Sequence, residues 1–253
     1  MNYLIWDFDG TLGYREGGMW TLTLLEIVDQ ALPELGVTFE QLKPFLAVGY
    51  PWHSPERPHL GLQDADAWWE ALHPVLINAM IGVGVPVACA TELVHEFRPR
   101  YTDLSHWRLF PDTLPVLSQL TALGWRHIVL SNHVPELPAI IEHLGLLPHL
   151  TVIFNSAQTG YEKPHQQAFR NVLESLGNPT AICMIGDNLI ADIAGAAALG
   201  IPGILVRATH PECKYCSADL TGVEAIISRE LSFTRSYAHP TSHRISGSKD
   251  GIV

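Results

Sequence analysis

Five short apolar runs limit how this chain can fold: "YLIW" ending at Trp6, "HIVLSN" at 127–132, "TVIFNS" at 151–156, "AICMIGD" at 181–187 and "GILV" at 203–206. Each has the length of a strand, and none alternates apolar with polar residues, the pattern of strands covered on both faces. Helix-like stretches with apolar residues three and four apart separate the later runs. They end in Gly124, Gly145, Gly177 and Gly200, residues that suit the close of a helix. Strand, helix and strand in repetition predict a parallel α/β sheet flanked by helices.

The interval 14–105 breaks this rhythm. It offers helical patterns, "WTLTLLEIVDQALPELG", "FEQLKPFL", "DADAWWEALHPVLINAMI" and "PVACATELVHEF", around the Pro- and His-rich stretch "GYPWHSPERPHLG". Because the alternation resumes only at "LFPDTLPVL", we expect an all-helical cap inserted into a core made of residues 1–13 and 106–235. Residues 236–253, rich in Ser, His, Gly and Pro, have no periodic apolar face and read as a mobile tail.

With 26 acidic against 15 basic residues, the formal charge of -11 repels nucleic acid and anionic membranes, and neither is an expected partner. The apolar segment from Ile77 to Ala90 is shorter than a membrane span and is broken by Gly82, Gly84 and Pro86. It reads as the junction of two helices. Four cysteines without a framework spacing, and a start that carries Asp7 and Asp9 where an export signal would be basic and then apolar, point to the cytoplasm.

In a parallel α/β sheet, ligands bind at the carboxyl ends of the strands. The polar residues that end the runs are Asp7 with Asp9, Ser131 with Asn132, and Asp187. Residues two apart in extended chain point the same way, roughly 6.5 Å apart. Asp7 and Asp9 can thus flank one reacting atom. Clustered carboxylates repel unless a cation lies among them, and Asp7 with Asp187 suits a hard divalent ion, most simply Mg2+. Lys163, one of only four lysines, would screen an anionic nucleophile from an anionic substrate.

In order, Asp7, Asp9 and Thr11 of "DFDGTL", Ser131 of "IVLSNH", Lys163 with Pro164, and Asp187 and Asp192 of "GDNLIAD" resemble the four motifs of haloacid dehalogenase (HAD) superfamily hydrolases with an all-helical cap. Within that superfamily the pattern is phosphoglycolate-phosphatase-like. The resemblance implies a Rossmann-like core and a Mg2+-dependent phosphomonoester hydrolase for a small phosphorylated metabolite. It implies Asp7 as the nucleophile that becomes an aspartyl-phosphate and Asp9 as acid and base. Thr11, Ser131, Asn132 and Lys163 would bind phosphate. The metal would be held by Asp7, the Asp9 main-chain carbonyl and Asp187, with Asp192 acting from nearby, through water or by orienting Lys163. Dehalogenase relatives lack the second aspartate, so Asp9 implies an oxygen leaving group. A sugar-phosphate mutase shares these residues, and a non-catalytic binding module is the alternative outside enzymes.

Other features have plainer readings. His210, Cys213 and Cys216 in "HPECKYC" lack a fourth zinc ligand at a recognisable spacing and read as a surface loop. Trp52, Trp68 and Trp69 suit a helical core, or a substrate wall. Arg15, His53, Arg57 and His59 are placed to reach the substrate's non-reacting end if the cap closes over the site. Most of the thirteen histidines read as ordinary surface residues.

Overall fold

The structure is a computed structural model that describes residues 1–177, 179–229 and 231. Among these, eight strands follow the chain: β1 (Asn2–Trp6), β2 (Gly13–Arg15), β3 (Trp107–Leu109), β4 (Trp125–Ser131), β5 (Leu150–Asn155), β6 (Ala181–Gly186), β7 (Gly203–Val206) and β8 (Cys216–Ser217). Six of them form one sheet in the order β5-β4-β1-β6-β7-β8, with every pairing parallel. This is the α/β architecture that the apolar runs predict. Its central strand explains the missing alternation: Leu4 and Trp6 pack into the larger buried cluster, while Tyr3 and Ile5 pack into a smaller one on the opposite face. Both faces of β1 are covered, so neither is polar.

The helical interval lies between β2 and β3, which pair antiparallel with Arg15 opposite Trp107. The chain therefore enters and leaves this interval through a two-stranded stem. Its helices are α1 (Trp20–Ala31), α2 (Phe39–Leu42), α3 (Ala65–Gly82), α4 (Val87–Leu93) and α5 (Phe97–Tyr101). Asp64 starts α3 by accepting hydrogen bonds from the backbone N–H groups of Asp66 and Ala67. The apolar segment from Ile77 to Ala90 is the end of α3, a turn and the start of α4, and no described helix is long and apolar enough to cross a membrane. The larger buried cluster runs from Leu4 and Trp6 in the sheet into Leu24, Ile27, Leu72 and Phe97 of these helices.

After β3 come α6 (Thr113–Ala122), α7 (Leu137–His143), α8 (Ser156–Thr159) and α9 (Gln166–Leu176), then α10 (Gly195–Ala197) and α11 (Val223–Arg229). Leu117, Leu120, Ile140 and Ile141 of α6 and α7 cover one face of the sheet, and Phe169 and Val172 of α9 cover the other. The four glycine stops all take positive φ, 87° at Gly124 for example, a region that disfavours side chains. The stretch beginning "LIADIA" differs from a plain α-helix. It opens as a π-helical turn, Leu189–Ala194, before α10. The expected tail, 236–253, lies outside the described residues.

Among the described histidines, His127 and His133 are buried. His127 on β4 is buried and accepts a hydrogen bond at Nδ1 from Trp6 Nε1 at 3.0 Å. Burial pushes its pKa down to about 4, so the ring is neutral near pH 7.

Candidate active site

Parallel register brings the polar strand ends to one edge. Trp6 lies opposite both Val129 of β4 and Ile185 of β6, so Asp7, Ser131 and Asp187 emerge side by side. Asp7 and Asp9 both line one cavity of about 670 Å³. Between them Phe8 is fully buried, its ring against Trp107 and His133. The alternation of an extended chain thus aims two carboxylates one way and anchors them with an apolar ring the other way.

Asp7 is held from two sides at one oxygen. Ser131 Oγ donates to Asp7 Oδ1 at 2.8 Å, and Lys163 Nζ donates to the same atom at 2.8 Å. Lys163 also reaches Asp192 Oδ1 at 2.5 Å. Burial opposes the lysine's charge, but the Asp192 and Asp7 carboxylates outweigh it and raise its pKa, so Nζ stays protonated. The π-helical turn accounts for Asp192: the aspartate folds beneath it, and its Oδ2 accepts from the Asn188 N–H at 3.0 Å. Asp192 is therefore a fully buried ion-pair partner.

Two residues expected at the phosphate are turned to neighbours. Asn132 donates from Nδ2 to the Lys163 carbonyl at 2.9 Å and accepts at Oδ1 from the Lys163 N–H at 2.7 Å. This two-way clamp fixes the backbone from which Lys163 projects. Thr11 is fully buried, with Oγ1 directed at Asp187 Oδ1, 3.5 Å away. Gly10 has φ 77°, and a Cβ there would overlap the Asp187 carboxylate. The turn after Asp9 thus needs glycine both for its backbone and for close approach.

Among the described residues, Asp7, Asp187 and Asp192 are the group whose ligand atoms lie within 4.8 Å of one another. Burial and the Asp7 carboxylate push Asp187 up to about 6. Burial, then Asp7 and Asp187, raise Asp9 well above the usual carboxylate range. Four carboxylates line the cavity with Lys163 as their one cation, and this excess of buried negative charge fits a divalent ion.

His133 is a site residue that the sequence reading missed. It is buried, its Nε2 lies 3.4 Å from Asp9 Oδ2, and its Nδ1 faces the Val134 carbonyl at 3.3 Å. Burial pushes its pKa down to about 4. Its only sequence signal is its place two residues beyond Ser131, on the loop that leaves the same strand.

Of the four cap-loop candidates, His53 lines the cavity. Arg15 is buried, its guanidinium donating to the carbonyls of Gly18, Arg100 and Tyr101. Arg57 is exposed beside Glu56. His59 Nε2 meets Glu162 Oε1 at 2.9 Å, tying the helical interval to the loop that carries Lys163. A second tie is Glu136, which accepts from Arg98 Nε at 2.8 Å and from Trp69 Nε1 at 3.2 Å. The tryptophans divide: Trp68 and Trp69 are core, and Trp52 lines the cavity. His210, Cys213 and Cys216 turn to backbone within their own segment.

The chain resembles known proteins in sequence and in fold. A phosphoserine phosphatase of Thermus thermophilus is 29% identical over 164 residues, 63% of this chain and 65% of that protein. The chain spans about two thirds of the length of the curated relatives it matches. Among solved structures, a HAD phosphatase from Thermococcus onnurineus matches with a TM-score of 0.58 and 19% identity, over 90% of this chain and 98% of that one. The L-2-haloacid dehalogenase of Xanthobacter autotrophicus gives 0.62 and 16%, over 91% and 100%. At these identities the structures speak for the fold alone. A family model, that of haloacid dehalogenase-like hydrolases, matches residues 1–200, and the chain belongs to that family.

Proposed function

We propose that the chain is a magnesium-dependent phosphomonoester hydrolase for a small phosphorylated metabolite, acting through an aspartyl-phosphate on Asp7. The observation that carries this reading is the pairing of two carboxylates with opposite characters. Asp7 accepts hydrogen bonds from Ser131 Oγ and the Lys163 ammonium, while Asp9 beside it has a raised pKa. A carboxylate oriented by two donors suits attack, and a neighbouring carboxyl that favours its protonated form suits a general acid. The fold does not separate phosphatase from dehalogenase, since it is shared with both. Asp9 does, because an alkoxide leaving group needs a proton and a halide does not.

In this reading Asp7 attacks phosphorus, and Asp9 protonates the departing alcohol and then takes a proton from the water that cleaves the intermediate. Lys163 and Ser131 meet the phosphoryl oxygens as charge develops on them. Asn132 holds Lys163, Thr11 holds Asp187, and Asp192 fixes the lysine head. Asp7, the Asp9 carbonyl and Asp187 would hold Mg2+, which when bound neutralises the phosphoryl and carboxylate charge. The helical interval acts as a cap domain over a core of residues 1–13 and 106–235. Four unpaired cysteines suit a reducing compartment such as the cytoplasm.

The test is phosphate release from a panel of phosphomonoesters, with magnesium and with chelator, for the native chain and for Asp7→Asn. We expect metal-dependent release that the variant abolishes. Release that survives in Asp7→Asn would remove the aspartyl-phosphate.

A further inference from the structure

The cavity has two unlike halves. Its floor is the carboxylate cluster and Lys163, and its outer wall is Met19, Trp20, Trp52, His53, Pro55 and Tyr101 from the helical interval. Trp20 stacks on Tyr101 at 4.5 Å and lies 5.5 Å from Trp52, whose ring is backed face to face by Tyr50 at 4.8 Å. Trp20 and Trp52 are each only half-buried, so this braced aromatic surface has an open side at the cavity.

No positive group faces that half. Among the described residues lining the cavity, Lys163 is the one permanent cation, and its ammonium is engaged by Asp7 and Asp192. Arg15, the arginine nearest the first motif, is tied to three carbonyls. His53 is the remaining candidate, and partial burial lowers its pKa, leaving the ring neutral at pH 7. A second anion on the alcohol portion of the substrate would lie against this aromatic half and find no counter-charge there. A two-carbon acid would also leave most of the 670 Å³ unfilled, a volume within the roughly 300–1,000 Å³ of pockets that enclose larger ligands.

We propose that the alcohol portion of the substrate is uncharged and carries an aromatic or similarly flat apolar face that stacks on Trp20 and Trp52. Monoesters with a carboxylate or second phosphate on the alcohol side are then poor substrates. This rests on the phosphomonoesterase reading and names the substrate class within it. It points away from compounds such as phosphoserine or phosphoglycolate.

The experiment compares kcat/KM for benzyl phosphate, ethyl phosphate and 2-phosphoglycolate with magnesium at pH 7. All three are esters of primary alcohols, so differences report the alcohol's shape and charge. Benzyl phosphate should exceed ethyl phosphate by at least about tenfold, from ring burial and stacking, and phosphoglycolate should be the slowest. In Trp52→Ala the benzyl-to-ethyl ratio should fall toward one, while Trp52→Phe should preserve most of it. Phosphoglycolate as the best of the three, or a ratio untouched in Trp52→Ala, would overturn this inference and leave the phosphatase reading standing. Absence of release from all three would remove both.

Discussion

Replacing Lys163 with methionine keeps the volume of the side chain and removes its charge. In the native chain Nζ lies 2.8 Å from Asp7 Oδ1 and 2.5 Å from Asp192 Oδ1, and all three side chains are largely or wholly buried. Removing one partner of a buried ion pair leaves an uncompensated charge and typically costs about 3–5 kcal/mol. With a urea slope of about 3 kcal/mol per M for a chain of this size, Lys163→Met should lower the unfolding midpoint by about 1–1.7 M in chelator. Adding Asp192→Asn removes the stranded carboxylate and should recover part of the loss, a coupling of about 1–3 kcal/mol.

The pH dependence of that deficit gives a second readout. Burial already raises the Asp192 carboxyl above its ordinary value, and loss of the lysine raises it further. A folded-state carboxyl above its unfolded value is a penalty that is full at high pH. It disappears as pH falls toward the unfolded pKa near ~3.9. The difference between native chain and variant should therefore shrink from pH 8 to pH 5. Urea titrations followed by tryptophan fluorescence measure both effects. A loss below about 1 kcal/mol at pH 8, in the same range as an exposed pair, would refute the view of Lys163 as a buried electrostatic keystone.

Asp9→Asn should lower kcat by about 10²–10⁴ on alkyl phosphates and by much less on phenyl esters with electron-withdrawing groups, whose leaving groups need no proton. A uniform loss across leaving groups would contradict the acid role. Gly10→Ala should destabilise by about 1–2 kcal/mol from φ 77° alone, with a further loss of activity because the methyl displaces Asp187, checked by thermal unfolding and turnover. His127, with a folded pKa of about 4 against an ordinary 6.5, favours the native state above pH 6.5 and loses that contribution as pH falls from 6.5 toward 4. That is about 3 kcal/mol in total. Its ring should titrate near pH 4 by NMR, and a midpoint at 6 or above would show the site to be hydrated.

The grouping of the candidate site residues was legible in sequence because they sit where strands end. A parallel sheet aligns its carboxyl edges, so Asp7, Ser131 and Asp187 meet as soon as β1, β4 and β6 are neighbours, and the double-sided apolar runs required such a sheet. Residue type and local spacing suffice for that step. Charge balance and the helix-closing glycines were equally local properties.

What only the tertiary structure decided depends on contacts between distant segments. Asn132 and Thr11 stood in the sequence as polar residues beside the strand ends, and only the folded loops engage their side chains with Lys163 and Asp187. His133 was one histidine among thirteen until burial beside Asp9 set it apart. Trp52 and Trp68 share a residue type and a helical neighbourhood, yet one faces the cavity and the other the core. A side chain's direction and desolvation are set by whatever packs against it, and at this site that packing comes from segments far apart in the chain.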